Sequence, residues 1–141
     1  MSVQTSTTRI QVANHKNISY TNLTQKADLL NVALTNTDLI AALKLALDQG
    51  FIIQVTSVRS DHGDDSCLGP PGVYNHGHAH GYALDCWCED LQGFVQHLCT
   101  DNPLVTKVGL GGPQAQALQI FPGATLVFPD NDEPHIHFQV K

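Results

Sequence analysis

The stretch His135-Ile136-His137-Phe138-Gln139-Val140 alternates polar and apolar side chains with a period of two. A β-strand sends successive side chains to opposite faces, so His135 and His137 point one way while Ile136 and Phe138 face a core. Glu133 joins the imidazoles if the strand runs back through Pro134. Two imidazoles and a carboxylate on one face of a strand suit a shared metal centre.

Moving back from this strand, the turn-rich Pro129-Asp130-Asn131-Asp132 separates it from a partner strand over residues 124–128, the two forming a terminal pair. Residues 118–121 read as a short strand, Gly111-Gly112-Pro113 as a turn and residues 105–110 as a strand. Asn102-Pro103 ends a helix over about 89–99 whose buried stripe is Leu91, Phe94, Val95 and Leu98, entered from a strand over 82–87. Residues 61–75 contain Gly63, Gly69, Pro70, Pro71 and Gly72 and form a loop. Phe51 to Ser60 is rich in β-branched residues after the helix stop Gly50, and reads as a central strand.

Before Gly50, Leu39, Ala42, Leu43, Ala46 and Leu47 make the apolar stripe of a helix capped by Asn36 or Thr37, with Asp38 in its first turn. A preceding helix over 24–34 carries Leu23, Ala27, Leu30 and Leu34 at helical spacing, with Thr21 or Asn22 as cap. Residues 8–13 alternate as a short strand, and 14–17 form a turn before Ile18-Ser19-Tyr20. Helices early and strands late predict one α+β domain over 1–141, with a mainly antiparallel sheet, helices packed on one face and the metal site on the sheet.

Composition narrows the partners. The 141 residues, 42% of them apolar, suffice for one core. A net charge of −6, with seven Lys and Arg in all, leaves no basic footprint for nucleic acid or an anionic membrane surface. The polar start lacks a signal-peptide apolar run, and no stretch is long enough to span a bilayer, so the expectation is a protein that stays where it is made or is released by lysis. Cys67, Cys86, Cys88 and Cys99 are expected as thiols, and Cys86-Trp87-Cys88 lacks the spacing of a zinc knuckle.

Of eight histidines, His15 and His97 stand apart and read as surface or boundary residues. The other six are His62, His76, His78, His80, His135 and His137. A Gly/His loop alone would account for one cluster, but not for two. Between His78 and Asp85, the small Gly81-Tyr82-Ala83 segment lets the chain turn tightly into a strand and aim both ligands inward. Three mixed nitrogen and oxygen ligands leave a fourth position open for water, the pattern of a catalytic zinc.

His78-x-x-Gly81-x-Ala83-x-Asp85, with the late His135-x-His137 and the upstream Thr56-Ser57-Val58-Arg59-Ser60, resembles the zinc D-alanyl-D-alanine carboxypeptidases and phage endolysin peptidases. These belong to the LAS metallopeptidase group, with lysostaphin and the hedgehog domain. The resemblance covers roughly Leu39 to Val140. It implies Zn2+ held by His78, Asp85 and His137, a substrate-binding Arg59, a general base at Glu133 and a transition-state role for His135. The chain departs from the family pattern where Pro134 occupies the usual base position, so Asp132 stands in reserve. His76 replaces a common serine, and His76 and His80 flank the ligand that the register selects. The implied activity is hydrolysis of an amide in bacterial cell-wall peptides. Two other readings are a non-catalytic zinc module and a structural virion or assembly protein.

Overall fold

The computed structural model describes residues 2–60, 81–118, 126–127 and 134–140. Helix α1 (Ser2–Ala13) leads into strand β1 (Ile18–Tyr20), helices α2 (Leu23–Leu30) and α3 (Thr37–Asp48), and strand β2 (Ile53–Ser57). After the gap come β3 (Ala83–Cys88), α4 (Leu91–Gln96), a π-helical turn (His97–Asp101) and β4 (Val105–Gly111). A short helix (Pro113–Gln116), β5 (Leu126–Val127) and β6 (His135–Val140) complete the described chain. The six described strands form one sheet in the order β1-β2-β3-β6-β4-β5. The β2–β3, β3–β6 and β6–β4 pairs are antiparallel, and the two outer pairs are parallel. The fold is therefore α+β with a mainly antiparallel sheet.

Residues opposed across antiparallel strands share a face, so the registers sort the side chains. Val55, Cys86, Ile136 and Leu110 lie across one face, as do Leu84, Phe138 and Val108, and all are buried. The helices pack against this side. Phe94 of α4 meets Phe138 edge-on at 6.5 Å between ring centroids, and Phe51 meets Phe94 at 5.6 Å. In α3 the buried stripe is Leu39, Leu43 and Leu47 with Ala42 and Ala46, as the periodicity predicts. Each leucine buried there contributes roughly 1.5–3 kcal/mol before entropy is counted. Asn36 accepts from the Asp38 N–H at 2.8 Å as N-cap, and Gly50 leaves the helix at φ 99°.

Several expectations need correction. Residues 8–13 belong to α1 and not to a strand, because Arg9, Val12 and Ala13 recur at helical spacing and are the residues buried, while Ile10 faces solvent. The second helix stops at Leu30, where Asn31 turns extended, so it does not reach Leu34. Its buried face is Gln25, Asp28 and Leu29, whereas the predicted stripe members Leu23, Ala27 and Leu30 are exposed. Packing chose the side that carries hydrogen-bonding groups toward the end of β2 over the more apolar side. Asn22 caps this helix through a capping box with Gln25.

Strand β2 ends at Ser57, so Arg59 sits two residues beyond it and not on it. Residues 126–127 and 135–140 are not neighbours, since β4 lies between β5 and β6. Five of the six β6 residues are buried, which suits a strand flanked on both sides better than one arm of a terminal hairpin. His97 is buried and not a surface residue, set against Phe51 and within 3.3 Å of Asn102. Leu118 lies in a turn, and residues 119–121 of that predicted strand fall outside the described residues.

Candidate metal centre

The sheet's other face carries polar groups. Ser57, Asp85, His137 and Gly109 are register neighbours across β2, β3, β6 and β4. One row along, Gln139 lies between Ala83 and Lys107, and His135 lies opposite Gly111. The alternation that sends Ile136 and Phe138 into the core sends His135, His137 and Gln139 to this side.

Antiparallel pairing brings Asp85 and His137 together. Asp85 Oδ1 lies 3.0 Å from His137 Nδ1, with the histidine side chain 3% exposed and the carboxylate 13%. Two ligand atoms each about 2.0–2.1 Å from a tetrahedral zinc lie roughly 3.3 Å apart, so this pair fits two corners of such a site. On its other side His137 Nε2 lies 2.7 Å from Gln139 Oε1. Opposite it, Gly109 has no side chain to crowd the imidazole. Among the described residues no group of three His, Cys, Asp or Glu converges to hold a metal ion. The third ligand implied by the resemblance, His78, lies outside the described residues, as do His62, His76, His80, Asp132, Glu133 and the predicted loop 61–75.

The entry to β3 is built by close packing. Gly81 has φ 76°, and a Cβ there would meet Leu34 O at 2.4 Å and Thr35 Cα at 2.9 Å. Its carbonyl accepts from the Asn36 N–H at 2.8 Å. Only glycine fits both the left-handed backbone and that approach, four residues before Asp85. The loop after α2 on which Gly81 rests is itself braced. Buried Arg9 donates from Nη1 to Leu29 O at 2.8 Å and to the Thr35 hydroxyl at 2.6 Å.

Arg59 reaches the same loop. Its Nη1 donates to the Leu34 carbonyl at 3.0 Å and the Ala33 carbonyl at 3.3 Å. Asp28, nearly fully buried, accepts from the Ser60 N–H and hydroxyl, both at 2.7 Å, and from the Arg59 N–H at 3.2 Å. The exit from β2 and the entry to β3 are thus fastened to one loop. Sequence reasoning missed Arg9, Asp28 and Gln139. Period-two alternation extended two residues past His137 reaches Gln139, whereas Arg9 and Asp28 act through contacts 20 to 32 residues away that no local pattern signals.

Cys86, Cys88 and Cys99 are free cysteines. Burial raises the Cys99 thiol to about 11 and holds Cys86 well above its ordinary value, so both stay protonated near neutrality. No described helix is long and apolar enough to cross a membrane. No family model matches the chain, and neither a curated protein nor a solved structure matches it.

Proposed function

We propose that this chain is a zinc-dependent peptidase that hydrolyses an amide bond of bacterial cell-wall peptides, of endopeptidase or D-Ala carboxypeptidase type. The observation that carries the reading is the close pair of Asp85 Oδ1 and His137 Nδ1 on the polar face of an otherwise apolar sheet. Those two residues end the spaced motifs that begin at His78 and His135. In this reading His78, Asp85 and His137 hold the zinc. Bound there, the metal supplies a water of lowered pKa and polarises the scissile carbonyl.

The chain's own residues do the rest. A Glu133 carboxylate oxygen takes the proton of the attacking water and returns it to the leaving amine, with Asp132 in reserve. The His135 imidazole donates to the developing oxyanion. Arg59, with Nη1 on the Ala33 and Leu34 carbonyls, meets the substrate from a fixed position beside the β3 entry.

The test combines metal analysis of the purified protein with mass spectrometry of digested peptidoglycan. His78→Ala and His137→Ala are each expected to lose zinc. Glu133→Gln should retain zinc and lose turnover by about 10²–10⁴-fold. Parent-rate cleavage by Glu133→Gln would refute the base assignment. A protein that binds zinc yet is inert on every muropeptide would be a non-catalytic zinc module. One without zinc that copurifies with particles would be structural.

A further inference from the structure

His137 is held from both ends. Nδ1 faces the Asp85 carboxylate at 3.0 Å and Nε2 faces Gln139 Oε1 at 2.7 Å. A neutral imidazole carries one N–H, so these contacts decide where it sits. The amide oxygen of Gln139 can only accept, so Nε2 carries a proton and donates to it. Nδ1, facing the carboxylate oxygen at 3.0 Å, then holds positive charge beside it, as a second ring proton in the imidazolium or as a cation bound to the neutral ring. A divalent cation shared by Nδ1 and Asp85 would take the place of that proton.

We infer that Gln139 is a positioning residue that fixes His137 as its Nε2–H tautomer and turns Nδ1, with Asp85, toward a divalent cation. The inference rests on the metal-centre reading above and adds the residue that orients one of its ligands. Gln139 is well placed for this. It sits two residues from His137 on the same face of β6, and strand pairing on both sides fixes its backbone. At 3% exposed, it is shielded from water that would compete for the imidazole N–H. Outer partners of this kind orient the ring and raise its basicity, and losing one costs about 10–100-fold in metal affinity.

The test uses the full chain. In the zinc-loaded parent, ¹⁵N NMR is expected to show His137 protonated at Nε2, with its Nδ1 resonance displaced by the metal. Zinc titration of the parent, Gln139→Leu and Gln139→Glu should then show a 10–100-fold loss for the leucine variant. The glutamate variant, whose carboxylate also accepts from Nε2–H, should bind close to the parent level. A proton on Nδ1 of the zinc-loaded parent would mean that Asp85 accepts from Nδ1 and that the metal lies elsewhere, which overturns the inference even if Gln139→Leu fails to fold. Parent-like zinc affinity in Gln139→Leu also overturns it, while leaving the metal centre intact. A parent that binds no zinc overturns the metal-centre reading, and with it any metal-directed role for Gln139.

Discussion

Gly81 shows how much can depend on one missing methyl group. Replacing it with alanine forces a side chain into a left-handed backbone, at about 1–3 kcal/mol. It also drives the new Cβ into the Leu34 carbonyl. Gly81→Ala should therefore lower the urea midpoint clearly and, on the metal-centre proposal, weaken zinc binding through displacement of Asp85. Unchanged stability would show that the loop yields easily.

His97 gives a residue-scale prediction in pH. Burial pushes its imidazole below the ordinary 6.5, against a weaker upward pull from Asp101. Below about pH 6.5 the unfolded chain takes up a proton that the folded chain refuses. The contribution of His97 is therefore level above that pH and is lost as the pH falls from there through the lowered pKa. His97→Gln should flatten this part of a plot of urea midpoint against pH, and an unaltered slope would place the titration elsewhere. That His135 and His137 share one face of their strand was legible, because alternation is a local property. The bracing partners of Arg59 were not, since Ala33 and Leu34 lie 26 and 25 residues away along the chain.

Helices were legible to the degree that their buried face was their apolar face. In α3 stripe, cap and stop all agree, and the helix runs where the pattern puts it. In α2 the apolar stripe points to solvent, because the opposite side carries Asp28, whose carboxylate is needed at the exit of β2. In α1 the deciding residue is a buried arginine, a type that pattern reading assigns to the surface. The Asn36 cap gives a test at this scale. Asn36→Ala removes the side-chain acceptor for the Asp38 N–H and should cost about 1 kcal/mol in chemical denaturation, whereas Asn36→Ser should cost much less. An equal loss in both variants would mean that the asparagine acts through something other than its cap.

For the whole molecule, the central strands β2, β3, β4 and β6 were readable, whereas residues 8–13 proved helical and strand order was not readable. Neighbours in a sheet are settled by which faces can be covered together, and the strand over 135–140 is apolar enough to be enclosed by β3 and β4 on either side. Amide hydrogen exchange should follow that order. Amides in β6 and in the facing parts of β3 and β4 should open only with global unfolding, while β1 at the sheet edge exchanges sooner. Exchange in β6 as fast as in β1 would refute this arrangement.

The position of β6 also bears on how the protein is made. Strands β3 and β4 are not hydrogen-bonded to each other, and what joins them is synthesised after both. A nascent chain halted before His135 holds two strands with nothing between them, the exposed inner face of Phe94, and half of the Asp85–His137 pair. Completion of the sheet and the pairing of Asp85 with His137 therefore both wait for β6. A product stalled or truncated before His135 should be a chaperone client that lacks both the completed sheet and the Asp85–His137 pair.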